Sequence, residues 1–124
     1  MRRRLVCAVF VGGATGGLVR AALERAWPAD GRTWPWVTFA VNVAGTALLA
    51  WVVGHIGHRR YARPLIGVGF CGALTTFSTL QLEALELAHH HHAVLGLLYA
   101  AGSIASGLVV AMLLGALGRP TAAP

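Results

Sequence analysis

The sequence predicts an all-α membrane protein, four transmembrane helices with almost nothing between them. Three observations carry that expectation. Of 124 residues, 56% are hydrophobic and only 11% are charged, too few charges to coat a soluble domain of this size. Mean hydropathy is +0.66. The apolar residues also fall into four long runs, each near the ~20 residues that cross a bilayer.

The first run, Leu5 to Ala26, is closed by Trp27-Pro28. Its start, three arginines before an apolar stretch, resembles a secretory signal. The run continues through a glycine patch to Arg20 without a small-x-small cleavage site, so it reads as a retained first helix. The second runs from Trp36 to Ile56, with Trp34 and Trp36 where interfacial aromatics are expected. The third extends from Pro64, suited to a first helical turn, to Ala88. The fourth covers Ala93 to Leu117, ending at Gly118-Arg119-Pro120, and the remaining tail is expected to be disordered. The whole chain, 1–124, reads as one domain.

The net charge of +6 comes from arginines at the ends of the apolar runs. That placement suits lipid headgroups, and no basic stripe with interleaved aromatics points to nucleic acid. Cys7 and Cys71 read as small buried hydrophobes. With four helices, both termini and the second loop share a side. That side carries Arg2, Arg3, Arg4, Arg59, Arg60, Arg63 and Arg119, against Arg25 and Arg32 opposite. The excess places the termini in the cytoplasm by the positive-inside rule.

Small residues recur at four-residue spacing: Gly12/Gly16, Gly13/Gly17, Gly69/Ala73 and Ser103/Gly107. In lipid such residues let backbones approach closely, so they indicate packing. The 12–17 glycines are not a phosphate cradle, since no strand precedes and no Gly-Lys-Ser/Thr follows.

Polar groups inside the apolar runs hold the functional information. The third run reads Gly69-Phe70-Cys71-Gly72-Ala73-Leu74-Thr75-Thr76-Phe77-Ser78-Thr79-Leu80-Gln81-Leu82-Glu83. Glycines followed by clustered hydroxyls suit irregular backbone buried in protein or lining a wet cavity, and freed carbonyls there could coordinate a cation. Thr75, Thr79 and Glu83 are four apart and would share a helical face. Hydroxyls bonding back to earlier carbonyls are the plainer alternative. Asn42 in the second run either knits helices together or offers an NH2 donor to an anion path. Tyr99 and Ser103, one turn apart in the fourth, likewise either donate along a pathway or join helices. Arg20 has a stem long enough to snorkel to an interface, the favoured reading, with a functional role for an intramembrane charge as the alternative. His89 to His92 read as a solvated loop, with metal binding the less favoured use. Nothing forms a hydrolase triad, a metalloprotease helix or a paired-carboxylate site, so no enzyme is expected.

Together these segments resemble the Fluc (CrcB) fluoride-channel family. The first run has its glycine-rich start and arginine (Gly12 to Gly17, Arg20), and the second its Thr-x-x-x-Asn-x-x-Gly pattern (Thr38, Asn42, Gly45). Gly69 to Thr79 with Glu83 matches the signature of the third, and Tyr99 and Ser103 match the fourth. The resemblance implies a passive fluoride channel of the plasma membrane that protects the cell from fluoride. It implies two four-helix subunits in antiparallel orientation, with the third helix broken near its middle. It further implies one structural Na+ held at the dimer interface by backbone carbonyls near Gly72 and Thr75. Asn42, Phe77, Thr79, Glu83, Tyr99 and Ser103 would line the fluoride path. Two departures stand out: Leu80 where relatives carry a second aromatic, and Gly107 where many carry a serine. The alternative function is a small-multidrug-type proton-coupled transporter, which wants a carboxylate inside its first helix. This chain offers only Glu24, near that helix's end.

Overall fold

The computed structural model describes residues 2–118; the expected disordered tail and Arg119 lie outside them. Helix α1 spans Arg2–Ala26, α2 Trp36–His55, α4 Phe77–His89 and α5 Ala93–Leu117. Between α2 and α4 lies α3, a π-helical stretch Arg63–Cys71 that runs into one α-turn, Gly72–Leu74. Taken together, α3 and α4 form one of four segments long and apolar enough to cross a membrane. The protein is therefore a multi-pass membrane protein. Its helices begin and end within three residues of the expected bounds; α1 starts earlier, at Arg2.

Between the two halves of the third span, Thr75 (φ −77°, ψ 147°) and Thr76 (φ −146°, ψ 123°) are extended. Thr76 then caps the restart, its Oγ1 accepting from the Thr79 N–H at 3.2 Å, the role for which threonine suits a helix N-terminus. Thr75 therefore does not share a helical face with Thr79 and Glu83, as the four-residue spacing suggested. An unbroken helix was the premise of that spacing argument.

Small residues hold α1 against α3. A methyl on Gly12 would strike the Leu65 carbonyl, and one on Gly69 would come within 2.6 Å of the Val9 carbonyl. Gly16 meets the Phe70 backbone in the same way. At Gly17 and Gly107 a methyl would find nothing within 4 Å, so their spacing serves no contact inside this subunit. On the other side, Gly96 lets α5 approach the Ala84 carbonyl of α4, 2.6 Å from where a methyl would stand.

The core is narrow. Leu80 and Leu87 of α4 pack with Tyr99 of α5, flanked by Trp34 and Phe39. The Trp34 ring meets Tyr99 edge-on at 5.4 Å and Phe39 at 5.5 Å, an arrangement favoured by the ring quadrupoles. In the α1–α2 loop, Asp30 Oδ1 accepts from the Arg32 and Thr33 N–H groups at 2.9 and 2.8 Å. Those bonds hold its carboxyl below the usual aspartate range.

Candidate functional site

The helix break is closed by groups from two other helices. Asn42 of α2 faces Thr76: its Nδ2 donates to the Thr76 carbonyl at 3.0 Å, and its Oδ1 accepts from the Thr76 N–H at 2.7 Å. In a continuous helix that N–H would serve the Gly72 carbonyl, so the clamp releases Gly72. The Cys71 carbonyl accepts from both the Thr75 N–H (3.1 Å) and its Oγ1 (2.9 Å). A methyl on Gly45 would sit 2.5 Å from the Thr75 side chain, so that glycine makes room for the break. From α1, Arg20 Nε donates to the Ala73 carbonyl at 3.1 Å. Arg20 therefore does not simply snorkel to an interface: its guanidinium binds a half-buried carbonyl at the helix end, where carbonyls lack intrahelical partners.

An open groove of about 430 Å³ runs past this break, and Asn42, Gly72, Thr75, Phe77 and Ser103 all line it. Five of the eight residues singled out in the sequence thus meet in one place. Phe77 is 61% exposed at the first position of α4. Ser103 is buried, and its Oγ has no hydrogen-bond partner among the described residues. Gly107 and Leu80 complete the wall nearby.

The other three expected residues lie elsewhere. Glu83, 8% exposed, accepts from Tyr99 Oη at 2.6 Å and from Thr38 Oγ1 at 2.7 Å. The Tyr99 side chain is fully buried and reaches neither groove. Glu83 and Thr38 border a second cavity, of about 300 Å³, beneath Trp27, Trp34 and Trp36. Thr79 belongs to the cap, its Oγ1 accepting from Thr76 Oγ1 at 3.1 Å. Phe77, Leu80 and Glu83 follow at three-residue intervals along α4, so about 9 Å of helix separates the groove's phenyl from the buried carboxylate. Leu80 stands between them, only 4% exposed.

Two contributors were missed as site residues in the sequence. Thr38 gives Glu83 its second donor, and Thr76 is the clamped unit at the break. Threonine is a common helix N-cap, but Thr75, Ser78 and Thr79 stand beside Thr76 as equal candidates, so the sequence did not single it out. For Thr38 the only signal was a hydroxyl in an apolar helix, which names no partner. Among the described residues His89 to His92 join no group of three metal-ligating side chains.

The arrangement offers amide, hydroxyl and aromatic groups along an open groove beside a helix break, which suits a small ion better than a reacting substrate. Comparison with known proteins places it. The family described as CrcB-like protein, Camphor Resistance (CrcB), matches residues 7–116. The chain is 47% identical over 110 residues to fluoride-specific ion channel FluC 1 of Mycolicibacterium paratuberculosis, covering 86% of this chain and 83% of that one. It is 44% identical over 110 residues to FluC 1 of Mycobacterium bovis, at the same coverage. To FluC 2 of Rhodococcus jostii it is 38% identical over 109 residues, 87% of this chain and 93% of the other. A family match over residues 7–116, which reaches into all four membrane-spanning segments, makes this chain a member of the CrcB-like family.

Proposed function

We propose that the protein is a fluoride-selective channel that lets fluoride leave the cell passively, not an enzyme. The observation that carries this reading is the groove where Asn42, Phe77 and Ser103 converge on the break. Fluoride is small and strongly hydrated, so a path must replace its water with close donors. The second Asn42 amide hydrogen, the Ser103 hydroxyl and the positive edge of Phe77 are such groups. Relatives named as fluoride-specific channels support the same ion. The proton-coupled transporter alternative falls with the family match; Glu24, its required carboxylate, is paired with Arg20 at 3.4 Å.

The groove is open on one side, which suits completion by a second subunit in antiparallel orientation, either an identical chain or a paralogue. The carbonyls of Gly72, released by the clamp, and of Thr75 are hard oxygen donors of the kind alkali cations prefer. They fit a structural Na+ shared between subunits, which would neutralise carbonyl charge at the interface. The plasma membrane, with both termini in the cytoplasm, is the location that the arginine distribution supports.

Efflux from liposomes of purified protein tests the channel. Fluoride should pass and chloride be held back by orders of magnitude; comparable rates for the two ions would reject the reading. Thermal stability should rise more with Na+ than with K+ at equal ionic strength, by the linkage that any ligand of the folded state obeys. Equal melting in the two salts counts against the cation site alone.

A further inference from the structure

Asn42 holds one side of the break, and the opposite side is held by Arg20. Ala73 is the next-to-last residue of the α-turn Gly72–Leu74, and its carbonyl accepts from Arg20 Nε at 3.1 Å across 53 positions of chain. Carbonyls at a helix C-terminus lack intrahelical partners and carry partial negative charge, so a cation placed there is favoured. The side chain is itself oriented: Nη1 lies 3.4 Å from Glu24 Oε1, one turn along α1. Helix α1 is in turn locked to α3 by Gly12, Gly16 and Gly69, so the guanidinium is delivered from a fixed platform.

We infer that Arg20 is a positioning residue for the ion path: by holding the Ala73 carbonyl it fixes the end of α3. With that end it fixes the carbonyls of Gly72 and Thr75 and the presentation of Thr76 to Asn42. Two helices thereby grip the break from either side, α1 through a guanidinium and α2 through an amide. A plain alternative is that the arginine merely attracts anions through its charge. The partnership with Glu24 and with the carbonyl argues against it, because both reduce the field that Arg20 projects.

Amide hydrogen exchange and fluoride efflux on purified wild type, Arg20→Gln and Arg20→Lys separate these roles. The flux arm rests on the channel reading above; the exchange arm does not. Arg20→Gln should raise exchange at residues 74–79 by about tenfold, the scale of one lost charge-assisted hydrogen bond, with little change in α5. Arg20→Lys, which keeps a charged donor, should raise it less, and it serves alone if Arg20→Gln fails to fold. Flux per folded molecule should fall in the same order and stay low at about 1 M salt, where the Debye length is near 3 Å. Unchanged exchange at the break, or a rise shared equally by all helices, would overturn the inference. So would a flux defect that disappears in high salt, which is the mark of charge attraction. Absence of fluoride flux in wild type would sink the channel reading and leave the exchange comparison to decide on Arg20.

Discussion

Asn42 and Thr76 form a closed amide-to-amide pair: both polar atoms of one side chain meet the N–H and carbonyl of one backbone unit. The two roles that the sequence left as alternatives for Asn42 are therefore compatible. Its side chain ties α2 to the break, and one Nδ2 hydrogen remains for the groove. Asn42→Asp keeps the shape and removes the donor, setting a carboxylate against the Thr76 carbonyl. We expect fluoride efflux to fall to background and stability to drop by about 1–3 kcal/mol, the usual loss when a buried partner is left unsatisfied. Liposome efflux and thermal melting of the purified variant check both. Wild-type flux with a wild-type melt would remove Asn42 from both roles.

Glu83 offers a separate test of what a buried carboxylate needs. Its two oxygens are each satisfied by a single hydroxyl, from Tyr99 and Thr38. Tyr99→Phe and Thr38→Val remove one donor each with little change in volume. Each should lower stability by about 1–3 kcal/mol, and the double variant should depart from additivity because both act on one group. Denaturation of the four proteins in a double-mutant cycle measures this. Two neutral single variants would show that water or a partner subunit replaces the hydroxyls.

The membrane fold was legible because span length and hydropathy are set by the bilayer, whatever the neighbours do. The polar run of the third span was equally legible as irregular backbone, since glycines and clustered hydroxyls fit poorly against lipid. What the sequence could not supply was pairing. Spacing put Thr75, Thr79 and Glu83 on one face, yet the extended Thr75–Thr76 pair rotates the helix that follows. Thr79 went to a cap, and Glu83 with Tyr99 to a buried network away from the groove. Arg20 read as a residue that snorkels to an interface, and its partner, the Ala73 carbonyl, lay in another helix, where no periodicity within one element can point.

Leu80 takes the position at which the resemblance leads one to expect a second aromatic. It is packed with Leu87 and Tyr99 in the subunit's own core, while one edge reaches the groove. A phenyl there would have to fit between α4 and α5, where Gly96 already sets a close approach. Leu80→Phe should therefore destabilise by about 1–3 kcal/mol through overpacking without raising fluoride flux. Thermal melting and efflux measured on the same preparation test this. A stable variant with faster flux would show instead that the leucine leaves a station of the path unfilled.

The arginine asymmetry bears on how subunits assemble. With four spans, the sequence assigns seven arginines to one side of the membrane and two to the other, a distribution that would bias insertion toward cytoplasmic termini. An antiparallel dimer needs a neighbour inserted the opposite way, and a chain with this bias rarely supplies one. A paralogue of reversed bias would supply it. The exposed Phe77 and the open groove would then face side chains of a different sequence, so the two fluoride paths of the pair would not be equivalent. Reporters fused to each terminus, in a fluoride-sensitive bacterium expressing this chain alone, should place both in the cytoplasm, with little rescue from fluoride. Rescue should appear when a paralogue of opposite charge bias is supplied. Full rescue by this chain alone, with termini found on both sides, would establish the antiparallel homodimer instead, because each inverted copy would then be its own partner.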